Sequence, residues 1–367
     1  MLGAAMTLLS RRRFLIAAAP VLGTAPLLRH LLPQEEAARA GSHGAQDHSG
    51  HRMGILEAPG ARGEGEALLV PQPAEPSGAG RVREVELVAQ NREIEVAKGV
   101  RFPAWTYNGT VPGPVIRATE GDLLRVRFRN EGSHAHSIHF HGIHPPRMDG
   151  VLDPVAPGES FTYEFEARPY GLQLYHCHTG PLAQHIHRGL YGAFIVDPRT
   201  PRPPAQELVM VLSGFDLDGD ELNEVHAVNG RAFYYAKYPI VARRSRTVRI
   251  YLANLTEFDL VNSFHLHGEF FRLYRTGSTD QHEYTDTVTL GQGERCILEI
   301  DFHHKGLYMF HAHQSKFAEQ GWMGWFNVVD TDAEAAGAAV ALNGYADEFA
   351  RCDPCVNEIG AKALLKY

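Results

Sequence analysis

The chain has 367 residues, enough for two domains that each bury a hydrophobic core. Its formal net charge of −8 makes it a poor partner for nucleic acid or anionic membrane surfaces, so we expect neither as a ligand. Beyond the N-terminus, apolar runs are too short to predict a membrane span in the mature chain.

Residues 1–40 contain the pattern SRRRFL, in which Ser10 precedes three arginines and a modest apolar run follows. The pattern resembles a twin-arginine export signal, and small residues around Arg39 offer a cleavage site. The alternative is an N-terminal membrane anchor, but glycine, proline and alanine make the run weakly apolar. We predict a signal peptide and a periplasmic or secreted protein. Residues 41–80, rich in glycine, alanine and proline, predict a flexible leader.

From Arg81 onward, apolar and polar residues alternate between glycine, proline and asparagine, which predicts an all-β fold. Segments such as DLLRVRFRN and TVRIYLANL fit strands, and helical periodicity is scarce before the last 35 residues. The proline-rich stretch DPRTPRPPAQ indicates a linker. We predict two domains, 81–198 and 207–331, joined by a linker at 199–206 and followed by a tail at 332–367.

The same motifs occur twice along the chain. HFHG at His139 is answered by HLHG at His265, and GLQLYHCH at Gly171 by GLYMFHAH at Gly306. APGESFTYEF and GQGERCILEI are also paired, at the same offset of 135 residues as the preceding pair. A constant offset across separate motifs indicates a duplicated domain.

Each half carries two His-x-His pairs within predicted strands. Side chains alternate along a strand, so both histidines of a pair point to one face and can converge on a metal ion. Imidazole suits copper, zinc or iron. Packing can explain one such pair, but not eight histidines at duplicated spacings. The pairs are His139/His141, His176/His178, His265/His267 and His311/His313.

Cys177 lies between two histidines and should point to the opposite face of its strand. Its candidate partners are His136, at an odd offset from the first pair, and His185 downstream. Two histidines and a thiolate with a weak or absent axial ligand form a blue-copper electron-transfer site. A disulfide is the alternative in an exported protein, but the surrounding histidines argue against it.

These motifs, H-x-x-H-x-H-G and H-C-H above all, resemble those of small two-domain, laccase-like multicopper oxidases over residues 81–330. The resemblance implies two tandem cupredoxin-like Greek-key sandwiches. It implies a type 1 copper at His136, Cys177 and His185, with Leu190 in the axial position. It also implies a type 2 copper at His139 and His265. The implied ligands of a type 3 copper pair are His141, His176, His178, His267, His311 and His313.

The second domain departs from the type 1 pattern. Asn262, Ala312 and Phe317 stand where the first domain has its two histidines and cysteine, and Trp322 stands opposite the axial leucine. We therefore predict one type 1 copper, in the first domain. His187 remains an alternative to the second histidine ligand.

The resemblance implies an oxidase that takes single electrons from phenolic or similar reductants near the solvent-facing edge of His185. Electrons would pass through Cys177 and its flanking histidines to a cluster that reduces dioxygen to water. Asp149, in RMDGV, matches the position that the family uses for proton delivery, although an Asp-Gly pair also suits a turn. Glu319 is a weaker candidate.

Three other activities stay open. A metallo-oxidase for Cu(I), Fe(II) or Mn(II) is one, although only seven methionines and no methionine-rich insert weaken the cuprous version. A copper nitrite reductase has a similar first domain but a non-histidine after its cysteine, so His178 speaks against it. A non-catalytic copper carrier would not need the second site. The physiological reductant is not predicted.

Because each chain has one copy of each half of the cluster, the resemblance implies a closed, head-to-tail homotrimer with clusters between subunits.

The roles of the other histidines and cysteines are ambiguous. His134 and His144 suit supporting or surface positions, Cys296 suits a buried thiol, and the CDPC segment suits a local disulfide, redox or metal role. Four side chains of the predicted leader are expected to be solvated, with transient copper binding as the alternative: His43, His48, His51 and Met53.

Overall fold

The computed structural model describes residues 57–60, 63, 65–74, 80–336 and 338. The predicted signal peptide, the leader histidines and the CDPC segment lie outside these residues. In the described part of the chain, we find no helix long and apolar enough to cross a membrane. The short α-helices whose bounds lie within the described residues include α1 Glu66–Leu69, α2 Leu182–His187, α3 Tyr234–Lys237 and α4 Ser315–Glu319.

The first domain is a sandwich of two four-stranded sheets. Its strands are β1 (Val82–Ala97), β2 (Val100–Tyr107), β3 (Ile116–Thr119), β4 (Leu123–Asn130), β5 (His139–Phe140), β6 (Ser160–Glu166), β7 (Gly171–His176) and β8 (Tyr191–Asp197). One sheet has the order β2-β1-β4-β6 and the other the order β3-β8-β7-β5. Strand β4 shows why they pack: Leu124, Val126 and Phe128 are buried, while the alternating arginines face outward.

The second domain repeats this sandwich with larger sheets. Its strands are β9 (Gln206–Phe215), β10 (Val225–Val228), β11 (Ile240–Arg243), β12 (Val248–Asn254), β13 (Val261–Leu266), β14 (Phe271–Arg275), β15 (Glu283–Thr285), β16 (Thr287–Gly291), β17 (Arg295–Ile300), β18 (Gly306–His311) and β19 (Met323–Val329). The sheet orders are β10-β9-β12-β17-β14-β15 and β11-β19-β18-β13-β16. The predicted all-β class of two tandem sandwiches is confirmed.

An apolar interface and an ion pair join the two domains. Leu174 and Ile195 of the first domain share a buried cluster with Val209 and Tyr251 of the second. Beside it, the guanidinium of Arg117 donates hydrogen bonds to the carboxylates of Asp197 and Glu207, with shortest distances of 2.7 Å to each. Within one chain the two sandwiches therefore have a fixed relative position.

Part of the predicted leader is packed against the second domain. Leu69 of α1 is 3% exposed and belongs to the second-domain core. The carbonyl of Gly65 accepts a hydrogen bond from the Tyr235 hydroxyl, and the carbonyl of Gln72 accepts one from Arg117. The expectation of a flexible leader is thus corrected for residues 65–74, because the short apolar run there finds a place in the core.

Candidate metal centres

Three side chains, His136, Cys177 and His185, converge in the first domain, and we call them the thiolate site. Cys177 follows the end of β7, His185 lies in α2, and His136 precedes β5. The Cys177 Sγ atom lies 3.2 Å from His185 Nδ1, which lies 3.2 Å from His136 Nδ1. All three residues are buried. The structure thus brings Cys177 together with the two predicted partners.

The turn through α2 creates this convergence. The backbone N–H of Cys177 donates to the carbonyl of Leu190, and the N–H of Leu190 donates to the carbonyl of His185. The N–H of Ser137 lies 3.4 Å from Cys177 Sγ. Leu190 is fully buried in the same core cluster as Cys177, and its side chain offers no ligand atom.

The thiolate site is electrostatically prepared for a soft cation. Burial lowers the pKa of His136 to about 3 and also lowers the pKa of His185, so both imidazoles are neutral near pH 7. Burial raises the pKa of the Cys177 thiol, and a bound metal ion reverses that tendency by taking the thiolate as ligand. A sulfur and two neutral imidazole nitrogens, without a carboxylate, fit copper.

His187 is not part of the thiolate site. Its Nε2 accepts a hydrogen bond from the backbone N–H of Asp216, and its ring packs against Phe102 and Phe258. Burial lowers the pKa of His187 to about 4. Of the two histidines in α2 that the sequence left open, His185 is the one beside Cys177.

The neutral state of His187 should make stability depend on pH. The unfolded chain protonates this imidazole below about pH 6.5, whereas the folded chain resists until about pH 4. Stability should therefore fall over this window by about 3 kcal/mol, with no further loss below it. In copper-free protein, His187→Gln should lack this share of the slope when urea unfolding is compared at neutral pH and near pH 4. Identical slopes in both proteins would contradict the prediction.

Four histidines of the first domain, His139, His141, His176 and His178, form what we call the first half-cluster. His141 Nε2 and His176 Nε2 lie 3.2 Å apart, and the His139 ring centroid lies 5.2–5.5 Å from the other three. His176 Nδ1 lies 2.9 Å from the carbonyl of Cys177, which leaves Nε2 as its ligand atom. Burial lowers the pKa of His141 to about 3 and of His176 to about 4.

The second half-cluster, His265, His267, His311 and His313, repeats this geometry. His267 Nε2 and His311 Nε2 lie 2.9 Å apart. His311 Nδ1 lies 2.6 Å from the carbonyl of Ala312. The equivalent distance in the first domain, from His176 Nδ1 to the carbonyl of Cys177, is 2.9 Å. His265 Nδ1 lies 2.9 Å from the carbonyl of Asp286. The duplication therefore extends to the orientation of individual rings.

The two half-clusters do not meet within the described part of one chain. Each group of converging ligand atoms found there draws on a single domain. His267 and His313 are exposed, whereas the first half-cluster is buried or half-buried. The histidines that the sequence assigned to one cluster thus form two separate groups, one in each domain.

In the second domain, side chains that pack together occupy the positions equivalent to the thiolate site of the first domain. Trp322 is fully buried, and its indole N–H donates to Asn262 Oδ1 at 2.9 Å and to the carbonyl of Ser263 at 3.1 Å. Ala312 and Phe317 are buried in the same core. An indole and a phenyl ring occupy the region where the first domain places its ligands.

Removing that indole should destabilise the second domain strongly. Trp322→Ala leaves a large cavity and removes one of the two hydrogen bonds that Asn262 Oδ1 accepts, so we expect a loss of about 3–5 kcal/mol in the free energy of unfolding. Urea denaturation measures this, and Trp325→Ala, at a half-buried position of β19, is the matched control with a smaller loss. A loss below about 1 kcal/mol for Trp322→Ala would show that the ring does not support the core.

Asp149 lies beside the first half-cluster. Its Oδ1 is 3.1 Å from His139 Nδ1 and 3.7 Å from His144 Nε2, and its own carbonyl lies 3.0 Å from His139 Nδ1. The Asp149 side chain is 34% exposed, so it reaches both the cluster and solvent. Glu319, the weaker candidate, is exposed at the end of α4.

Trp105 is the site residue that sequence reasoning missed. Its ring centroid lies 5.2 Å from that of His136 and 4.8 Å from that of His185. His134, which the sequence left as a supporting or surface residue, packs against Trp105 in a tilted arrangement, with the ring centroids 4.6 Å apart. His185 itself is only 3% exposed, so little of its ring edge reaches solvent. The motif YNG, which begins two residues after Trp105, is answered by VNG at Val228, and this repeat was the available signal.

Two sandwiches with a cysteine–histidine site and duplicated histidine clusters define a copper-binding redox protein. Comparison with known proteins agrees. Two family models, both described as multicopper oxidase, match residues 88–201 and 201–332. The chain belongs to the multicopper oxidase family.

Proteins similar to this chain include oxidases and nitrite reductases. A crystal structure of a multicopper oxidase is 46% identical, with a TM-score of 0.70, and the match covers 75% of this chain and 98% of that one. The copper-containing nitrite reductase of Neisseria meningitidis is 29% identical over 62% of this chain and 64% of its own length. Laccase-2 of Botryotinia fuckeliana is 39% identical over 32% of this chain and 21% of its own. The chain thus spans less than two thirds of these two relatives.

Proposed function

We propose that the protein is a laccase-like oxidase, which takes single electrons from phenolic reductants and reduces dioxygen to water. The proposal assigns type 1 copper to the thiolate site and a type 2 and a binuclear type 3 centre to the joined half-clusters. Copper in these sites supplies one-electron transfer and, at the three-ion cluster, four-electron reduction of dioxygen. The observation that carries the proposal is the full set of eight histidines in two half-clusters of matching geometry.

The chain itself connects the two kinds of site. Cys177 is covalently bonded to His176 and His178, so the thiolate site and the first half-cluster share a backbone. The hydrogen bond between His176 Nδ1 and the Cys177 carbonyl adds a second short connection. His178 provides a second covalent connection from Cys177 to the first half-cluster, and a nitrite reductase would need no histidine at this position.

We further propose a closed homotrimer in which the first half-cluster of one subunit meets the second half-cluster of its neighbour. The exposure of His267 and His313, and the restriction of each ligand group to one domain, support this arrangement. The proposed location is the periplasm or the exterior, on the strength of the SRRRFL pattern after Leu9.

Oxygen and nitrite consumption test the proposed function directly. The copper-loaded protein should consume dioxygen with a phenol as reductant and should not consume nitrite under nitrogen. Parallel reactions with Fe(II), and without any reductant, separate a metallo-oxidase from a phenol oxidase. Nitrite consumption without dioxygen uptake would reverse the assignment in favour of a nitrite reductase.

Asp149 should supply protons during dioxygen reduction. Asp149→Asn keeps an oxygen to accept from His139 but removes the acid, so we expect turnover to fall by roughly 10²-fold. Copper content and anaerobic bleaching by phenol should stay unchanged, while reoxidation by dioxygen slows. Asp153→Asn, an exposed residue in the same loop, is the matched control. Normal reoxidation of Asp149→Asn would remove this residue from proton delivery.

A further inference from the structure

The ligands of the thiolate site have almost no surface for a reductant to touch. His136 is fully buried and His185 is 3% exposed. Trp105 forms the next layer outward, because its ring contacts the rings of both histidines and is itself 8% exposed. Electrons from a reductant in solution therefore have to cross this layer or another part of the shell around the site.

His134 lies outside Trp105 and is exposed to solvent. Its ring is 4.6 Å from the indole, with 37° between the ring planes. His134 Nδ1 lies 2.8 Å from Ser133 Oγ, which accepts a hydrogen bond from the side-chain amide of Asn91. An exposed side chain gains entropy by moving freely, so these contacts hold the imidazole over the indole against that tendency.

We propose that His134, held on Trp105, is the surface on which a phenolic reductant stacks, and that Trp105 couples this contact to the thiolate site. The inference rests on the proposed oxidase function. A phenol ring can stack on the exposed imidazole, whereas a metal-ion reductant needs several converging ligand atoms, and no such group among the described residues includes His134. The phenol would give up one electron and release its hydroxyl proton to water, and copper(II) held by His136, Cys177 and His185 would accept the electron.

The second domain provides an internal comparison. By the repeat, His226 is the counterpart of Trp105, and Leu260 is the counterpart of His134. The backbone confirms the first match, since the N–H of His226 donates to Gln320 as that of Trp105 donates to Arg188. The domain that lacks a thiolate site therefore also lacks the indole and the exposed imidazole.

Phenol binding can be measured without turnover. In full-length copper-free protein labelled with 5-fluorotryptophan, the ¹⁹F resonance of Trp105 should shift saturably as phenol is added. Trp105→Phe identifies that resonance, and the buried Trp322 serves as an internal reference. The shift should disappear in His134→Ala. A Trp105 resonance that phenol does not move in the wild-type protein would overturn the proposal.

Anaerobic bleaching of the blue band tests the coupling. His134→Ala should lower the apparent affinity for phenol about three- to tenfold, the size of one aromatic contact, with an unchanged visible spectrum and reduction potential. His134→Phe should restore much of the affinity. The matched control is His282→Ala, which removes another exposed imidazole that contacts an aromatic ring, that of Tyr274, in the second domain.

The outcomes separate this inference from the proposed function. If phenol bleaches His134→Ala and the wild-type protein with equal affinity, the contact surface lies elsewhere and the oxidase assignment stands. If phenol does not bleach the wild-type protein, the oxidase assignment itself fails.

Discussion

Replacing Cys177 with serine should abolish the blue colour and reduce phenol turnover by more than about 100-fold. A serine hydroxyl stays protonated and is a poor ligand for copper beside two imidazoles, so the thiolate site should no longer hold its ion. Loss of a direct ligand should exceed the 10–100-fold effect typical of residues that only support a ligand. Visible absorption, copper content and dioxygen uptake measure the result.

The chain supplies a matched control for this substitution. Cys296, in β17, is also a free, fully buried cysteine, but it lies in a strand of the second domain. Cys296→Ser should keep the colour and the turnover. Both half-clusters should keep their copper in Cys177→Ser, because their ring contacts do not involve the sulfur. Phenol turnover that survives in Cys177→Ser would remove this residue from the electron path.

Two inactive variants should restore activity to each other when their subunits are mixed. His141→Ala disables the first half-cluster and His267→Ala the second, so neither protein alone can build a complete cluster. In a head-to-tail ring, random exchange of equal amounts should place two intact halves together at about one quarter of the interfaces. We therefore expect about one quarter of wild-type dioxygen uptake after dissociation and reassembly.

The arrangement of subunits decides this result. If one chain built its cluster alone, the mixture would stay inactive, because every chain would carry one damaged half. Mixing without dissociation is the negative control, and sedimentation should show particles of three subunits. Cross-mixing Cys177→Ser with His267→Ala extends the test, since an interface between them again needs an intact thiolate site beside an intact second half-cluster.

Much of this architecture was predictable because it repeats. The eight histidines stand in His-x-His pairs at duplicated positions, and a period of two places each pair on one face of a strand. The same periodicity predicted the sandwich class. The chain also showed that the second domain lacks a thiolate site, since Asn262 and Ala312 stand at the ligand positions.

Other features depend on contacts between distant segments. His185 and His187 lie in the same short helix, and Phe102, Phe258 and Asp216 determine that His187 turns toward the second domain. Trp105, an aromatic residue in a strand, looks like an ordinary core residue until the fold places it over two ligands. Leu69 lies in a glycine-rich segment whose composition conceals its place in the core.

The buried Trp322 of the second domain affects how the two domains should behave when copper is absent. With Trp322 bonded to Asn262 and Ser263, that sandwich is closed by its own side chains and needs no ion to complete its interior. In the first sandwich, by contrast, Cys177 Sγ, His185 Nδ1 and His136 Nδ1 face one another, and the proposed copper ion would bind between them. Removal of copper should therefore destabilise the first domain and leave the second domain folded, so that copper can bind again to a partly ordered protein.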